Sequence, residues 1–234
     1  MQPGTLYGLG IGPGDPELVT VKAARLLKNC DVVFTVISSH VTSSTSEDVV
    51  RFYEPKGRIE RLVFTMSRVR EEREAQVRSN AERIIAELRA GKNCAFATLG
   101  DTLSYSTFGY ILPYVKQALP DARIEIVPGV TSWSTLAARA GKVLAENKES
   151  LRVIPAFTKD MADKIVFEPD TATILLKTYK SRSALTARLR RENVDVLYGE
   201  NLTQEGEFLS ESLDEIDARK ENYLSLMLVR TKKD

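Results

Sequence analysis

The side chains that most often hold metals or act as tuned bases are scarce in this chain: 234 residues contain one histidine, His40, and two cysteines. A lone imidazole argues against a zinc site built on histidines, and with no Gly-x-Ser-x-Gly elbow a hydrolytic triad is disfavoured. No metal is expected. Cys30 and Cys94 stand far apart, each at the edge of an apolar run, and are expected to be buried, inert thiols. Charge of one sign is missing as well. Lys+Arg total 33 against Asp+Glu 32, a net of +1, and the signs interleave, as in EEREAQVR. That argues against a chain built to neutralise nucleic-acid phosphates. No apolar run approaches the roughly 20 residues of a bilayer crossing, and MQPGTLYG has neither the basic nor the apolar region of a signal peptide. The expectation is a soluble, cytoplasmic protein with neither nucleic acid nor membrane as partner.

What is present is ordinary core material: 43% hydrophobic and 28% charged residues, outside the range of disordered chains. At roughly 100–200 residues per domain the length permits two small domains, enough to enclose a small-molecule cleft. Short β-branched runs alternate with helical patterns, which is α/β grammar. Strands are expected at Thr5–Ile11, Asp31–Ile37, Ile59–Phe64, Asn93–Thr98, Arg123–Val127, Leu151–Ile154, Ala172–Lys177, Val194–Tyr198 and Tyr223–Val229. Helices are expected at Pro16–Lys28 with Asp15 as N-cap, at Arg68–Arg89, at Thr107–Leu119 and at Ser132–Ala140. In the second of these, Val69, Ala75, Ile84, Ile85 and Leu88 would face the core, with Gly91 ending the helix. The hydroxyl-rich stretch Ser38–Ser46 reads as a mobile loop that could act as a lid, and the domain boundary falls near residue 120, giving units 1–120 and 121–234.

Three expected strands run into glycine turns and then helices: Gly8-Leu-Gly-Ile-Gly-Pro-Gly-Asp15, Leu99-Gly-Asp-Thr-Leu-Ser-Tyr105, and Val127-Pro-Gly-Val-Thr-Ser132. Strand C-terminal ends are where open α/β sheets bind ligands. A P-loop would need Gly-Lys-Ser/Thr, but Gly14 is followed by Asp-Pro-Glu. A dinucleotide fingerprint starting at Gly8 would need a small residue where Pro13 stands and an acid after the second strand, where Ser-Ser stands. Asp15 and Glu17 also place negative charge at the helix start, which opposes a phosphate. The residues instead outline a site of backbone groups, hydroxyls and one or two carboxylates, suited to a ligand with a ribose, a base and a positive centre. Asp101 and Ser104 read equally as helix caps.

The segment Gly10-Ile-Gly-Pro-Gly-Asp-Pro-Glu-Leu-Val-Thr-Val-Lys-Ala resembles the first signature of the tetrapyrrole (corrin/porphyrin) methyltransferases. Gly100-Asp101 with Tyr105-Ser-Thr-Phe108, and Pro128-Gly-Val-Thr-Ser132, resemble its second and third, with Thr102 where the family has proline. Leu175-Leu-Lys177, Gly199–Glu207 and Tyr223–Val229 extend the likeness to nearly the whole chain. Within the family, Tyr-Ser-Thr-Phe and Leu-Leu-Lys look most like the branch that methylates carbon 20 of precorrin-2 or cobalt-factor II in cobalamin biosynthesis.

The resemblance implies two α/β lobes with S-adenosylmethionine in the cleft between them, S-adenosylhomocysteine as product, a tetrapyrrole substrate and a homodimer. Carried over by position, the cofactor contacts are Pro13, Leu99, Gly100, Asp101, Ser104, Thr131, Ser132, Lys177 and Leu202. The Gly10–Asp15 turn would face the tetrapyrrole, with Gly12, Gly14, Asp15 and Lys22 as substrate contacts, and Arg68, Arg70 and Lys180 are further candidates for a basic rim. A sulfonium methyl is already activated, so the enzyme need only hold it in line and about 3–3.5 Å from the accepting carbon. In some related enzymes a carboxylate after the second strand is the proposed base, but Thr35-Val36 stands there, leaving Asp15, Tyr105 or the substrate itself to take the departing proton. Two alternatives stay open: methylation of another corrinoid carbon, and a cofactor-binding module of the same fold without catalysis.

Overall fold

The β-branched runs of the first half of the chain form one parallel sheet. β1 (Leu6–Gly10), β2 (Val32–Ser38), β3 (Arg58–Phe64), β4 (Cys94–Thr98) and β5 (Ile124–Val127) lie in the order β3-β2-β4-β1-β5. The computed structural model describes residues 2–38, 44–65, 67, 69–155 and 159–232. β4 is buried along its whole length, as a parallel strand covered on both faces should be. On one face α3 (Arg70–Arg89) and α4 (Phe108–Ala118) pack Ile84, Leu88, Phe108 and Ile111 against Leu6, Phe34 and Phe96. On the other, α1 (Val21–Asn29) and α2 (Thr45–Phe52) bring Ala23, Leu27, Val49 and Val50 against Leu9, Val33 and Ala97. Each such buried Leu, Val or Phe contributes about 1.5–3 kcal/mol.

The remaining strands form a mixed sheet. β6 (Ser150–Ile154), β7 (Thr171–Leu176), β8 (Val194–Glu200), β9 (Phe208–Ser210) and β10 (Ser225–Thr231) lie in the order β6-β7-β10-β8-β9. β6 and β7 are parallel, whereas β10 runs antiparallel to both β7 and β8. One face is covered by α5 (Ser132–Ala140) through Leu136. The other is covered by α6 (Lys159–Ala162), α7 (Arg182–Leu189) and α8 (Leu213–Asp217), around Tyr198, Leu175 and Met227. The chain divides into Met1–Thr131 and Ser132–Asp234 rather than near residue 120. The physical reason is that β5 pairs with β1, Leu6 opposite Ile124 through Leu9 opposite Val127, so residues 121–131 complete the first sheet.

Every expected strand forms; β9 is an addition, too short to give a pattern. The helix expected over Pro16–Lys28 divides, because the segment carries two caps. Asp15 Oδ1 accepts the Glu17 N–H at 2.8 Å over a single 3-10 turn, Pro16–Leu18, and Thr20 Oγ1 then accepts the Ala23 N–H at 3.2 Å to start α1. In α3 the apolar stripe occupies only the C-terminal half: Ala81, Ile84, Ile85 and Leu88 are buried, while Ala75 is exposed and Val69, 47% exposed, only precedes the helix. The expected loop Ser38–Ser46 is shorter than its composition suggests. Residues 39–43, including His40, lie outside the described residues, but Ser44 and Ser46 are buried, both hydroxyls donating to Val36 O at 2.6 and 3.2 Å, and Thr45 begins α2. Among the described residues no helix is long and apolar enough to cross a membrane.

Cys30 and Cys94 are free and buried, and burial pushes each thiol up to about 12. At pH 8 the thiolate fraction is therefore negligible in the folded protein. Iodoacetamide is expected to leave both cysteines unlabelled in the native protein and to label both once it is unfolded in urea; labelling of the native protein at a free-thiol rate would contradict the burial.

Candidate functional site

At the C-terminal edge of the first sheet the neighbouring strands β4, β1 and β5 end side by side, and their three glycine turns are joined directly. Beyond β1, Ile11 N donates to Thr98 O at 3.0 Å. Gly12 and Gly100 then exchange both backbone bonds, Gly100 N to Gly12 O at 2.6 Å and Gly12 N to Gly100 O at 3.3 Å. The third turn lies against these two: a Cβ on Gly129 would stand 2.2 Å from Gly100 O, so only glycine fits. Gly100 itself is left-handed, φ 72°, and a Cβ there would meet nothing within 4 Å. With its N–H and C=O spent on Gly12, Gly100 is open on the side where a Cβ would stand.

Two side chains staple the turns. Asp101 Oδ1 accepts Gly129 N–H at 3.0 Å, while Oδ2 accepts Leu103 N–H at 3.1 Å, Ser104 N–H at 3.0 Å and Ser104 Oγ at 2.8 Å. Thr102, 1% exposed, donates its hydroxyl to Val127 O at 2.5 Å. Where the resemblance has proline, this chain thus adds a cross-turn hydrogen bond that proline cannot make. Asp101 does not cap α4, whose N-cap is Thr107. Burial works to raise the Asp101 carboxyl, but the bonds from Ser104, Gly129 and Leu103 outweigh it and hold the pKa below its ordinary value. With four donors on two oxygens, Asp101 holds the turn in shape.

The other expected residues of this unit fall on the same edge or flank it. Pro13 is buried and Gly14 half-buried on the turn after β1, where Asp15 caps its 3-10 turn. Tyr105, 53% exposed with φ 57°, stands on the turn after β4. Lys22 is already paired, its Nζ 2.6 Å from Glu125 on β5, and Arg70 pairs with Glu74 at 2.6 Å; Arg68 lies outside the described residues. Thr131 ends this unit and Ser132 opens α5 of the next.

In the second unit, the ends of β7 and β8 flank the start of β10. Lys177, left-handed at φ 57°, donates its N–H to Ser225 O at 2.9 Å, and Asn201 donates to Leu224 O at 3.0 Å. Lys177 Nζ lies 5.2 Å from the centre of the Tyr223 ring, which Tyr179 meets edge-on at 5.7 Å. Lys180 lies over Tyr179. The Leu202 side chain packs into the core against Leu136, and among the described residues neither its N–H nor its C=O has a hydrogen-bond partner. Beneath this edge is a buried charge cluster with no pattern in the sequence to reveal it. Glu200, 1% exposed, accepts Tyr198 Oη at 2.6 Å and the Arg219 guanidinium at 3.0 and 3.1 Å, with Arg182 at 3.7 Å. Arg182 in turn donates to the carbonyls of Lys220 and Arg219, fixing the segment that leads to Tyr223. Burial, then the bond to Glu200, pushes the Tyr198 phenol up to about 12.

Asp101→Ala removes four acceptor bonds and leaves the Gly129 N–H unpaired, so we expect it to lower unfolding stability at pH 7 by about 2–3 kcal/mol in urea titration. Because the folded pKa is depressed, the difference from wild type is complete above 3.8 and closes as pH falls through the lower folded-state value. A difference that does not change with pH would contradict the staple.

Residues 5–217 match the family described as Tetrapyrrole (Corrin/Porphyrin) Methylases. The chain is 33% identical over 230 residues to the cobalt-precorrin-2 C(20)-methyltransferase of Salmonella typhimurium, covering 97% of this chain and 96% of that protein. It is 31% identical over 227 residues to the probable cobalt-precorrin-2 C(20)-methyltransferase of Methanocaldococcus jannaschii, covering 96% and 95%. Its fold matches, with a TM-score of 0.68 at 21% identity over 97% of both chains, the crystal structure of uroporphyrin-III C-methyltransferase from Thermus thermophilus complexed with S-adenosylhomocysteine. The chain belongs to the tetrapyrrole (corrin/porphyrin) methylases.

Proposed function

We propose that the chain is an S-adenosylmethionine-dependent methyltransferase that methylates carbon 20 of cobalt-precorrin-2 in cobalamin biosynthesis. The observation that carries this is end-to-end identity, 33% and 31%, with a bacterial and an archaeal protein of that name. The residues present fit the cofactor. The open space at Gly100 lets a ligand approach the Leu99–Asp101 backbone, and the unpaired N–H and C=O of Leu202 offer a donor beside an acceptor. The carboxylate of Asp101 is consumed within the turn. In this reading Leu99, Gly100 and Leu202 meet the cofactor through their backbones, Asp101 and Ser104 hold the turn that presents them, and Pro13, Thr131, Ser132 and Lys177 complete the contacts.

When bound, S-adenosylmethionine supplies an activated methyl group, so the chain's own task is to hold and orient. Rigid turns suit that task, because positioning alone can account for several powers of ten in rate. Gly12 and Gly14 form the surface for the macrocycle, with Lys22 at its margin. Lys22 is paired with Glu125, so the pairing must loosen before a substrate carboxylate can use it. For the proton that leaves carbon 20 the chain offers Asp15 and Tyr105, on turns of the same sheet edge. The protein acts as a cytoplasmic homodimer, which sedimentation equilibrium would test.

Incubation with S-adenosylmethionine and, in parallel, cobalt-precorrin-2, cobalt-factor II and metal-free precorrin-2 should add one methyl, located at carbon 20 by NMR, with the cobalt-containing substrates preferred. No methyl gain on any of the three would overturn the function, and a gain at another carbon would correct it. Gly100→Ala should cost only about 1–2 kcal/mol of stability, from its left-handed backbone, yet raise the KM for S-adenosylmethionine by about tenfold or more. An unchanged KM would remove Gly100 from the site.

A further inference from the structure

The connection between β8 and β9 holds more left-handed backbone than its residues favour. Asn201 (φ 45°), Thr203 (φ 65°) and Gly206 (φ 77°) all adopt it. Glycine does so freely and asparagine readily, but Thr203 is β-branched, and its side chain crowds the neighbouring peptide in that region. Such a conformation persists only where the surroundings enforce it, and positions of this kind cluster at ligand clamps.

The enforcing group is Glu207. Its Oε2 accepts the Thr203 N–H at 2.5 Å, and its Oε1 accepts Arg139 Nε of α5 at 2.7 Å. Glu207 N donates to Gln204 O at 3.1 Å and Gln204 N to Asn201 O at 2.9 Å, closing the loop on itself. The residue fixed between these bonds is Leu202. It is 4% exposed, its side chain is anchored in the core, and its backbone N–H and C=O lack partners among the described residues. Nearly buried peptide groups without partners are rare in folded proteins. Here a carboxylate, a strained threonine and an unpaired donor–acceptor pair meet within residues 202–207.

We infer that Glu207, backed by Arg139, is a positioning residue for cofactor binding: it holds Thr203 left-handed and thereby fixes the Leu202 N–H and C=O for S-adenosylmethionine. The inference rests on the proposal that Leu202 faces that cofactor. Without the Glu207 carboxylate, Thr203 relaxes toward right-handed or extended backbone, the Leu202 peptide planes rotate, and binding must then supply the ordering. Glycine at 203 removes the preference that Glu207 opposes, so a glycine should restore much of what loss of the carboxylate takes away.

Calorimetric titration with S-adenosylhomocysteine, on full-length wild type, Glu207→Ala, Thr203→Gly and the double variant, tests this. Wild type and T203G should bind within about threefold of each other, E207A about tenfold more weakly, and E207A/T203G should return to within about threefold of T203G. In turnover, E207A should raise the KM for S-adenosylmethionine while leaving kcat near wild type. If E207A does not fold, Glu207→Gln, which keeps an acceptor for Thr203 but loses the charge facing Arg139, should weaken binding less and be restored by T203G in the same way. Unchanged affinity in E207A or E207Q, or a loss that T203G does not restore, would overturn the inference alone. Failure of wild type to bind S-adenosylhomocysteine would overturn the proposal beneath it as well.

Discussion

The backbone pairing of Gly12 with Gly100 is the contact on which the first unit's candidate site depends. Parallel strands are not joined at their ends by hairpins, so the turns after β1, β4 and β5 belong to stretches far apart in the chain and need their own means of alignment. Gly12 and Gly100 supply it by exchanging both hydrogen bonds, and Gly129 closes against Gly100 at a distance no side chain would allow. Asp101 and Thr102 then lock the arrangement from its flanks, one to Gly129 and one to Val127. A ligand meeting the Leu99–Asp101 backbone would meet a surface held by the protein's own hydrogen bonds, which lowers the entropic cost of holding it.

The second unit reaches a comparable result by different means. With β10 antiparallel between β7 and β8, the carbonyls of Leu224 and Ser225 at its start are available to pin Asn201 and Lys177. That start must itself be fixed, and the buried Glu200 cluster does so through Arg182. A buried carboxylate is costly unless surrounded by donors, and Glu200 has a phenol and two guanidinium groups around it. Both units therefore use a carboxylate to shape backbone.

Much of this was legible in the sequence. Strands appeared because β-branched runs bounded by glycine and proline have few other uses, and the three glycine turns stood out as a candidate binding edge because glycine at a strand end permits close approach. The division of Pro16–Lys28 was hidden by two good caps, Asp15 and Thr20, in one stretch whose apolar spacing still looked continuous. α2 was hidden because Ser44 and Ser46 look like loop residues, when their hydroxyls are spent on one carbonyl of β2. The domain boundary was misplaced because strand order is a long-range property, and nothing local tells that β5 pairs with β1. The role of Asp101 was half visible: the residue stood out, but its four donors come from turn geometry. Glu200 and Glu207 lie in the Gly199–Glu207 match, but nothing in the sequence marks them or Arg182 as buried or paired, since single charges near strand ends are ordinary surface residues until the fold buries or pairs them.

In the proposed function, carboxylates shape the turns while backbone groups meet the cofactor. A crystal structure of the protein with S-adenosylhomocysteine tests it most directly. The cofactor is expected against the backbone of Leu99–Asp101 and of Leu202, with the Asp101 carboxylate keeping its 3.0 Å bond to Gly129 N. A complex in which Asp101 turns away from Gly129 to bind the cofactor, or in which the cofactor sits away from both backbones, would contradict it.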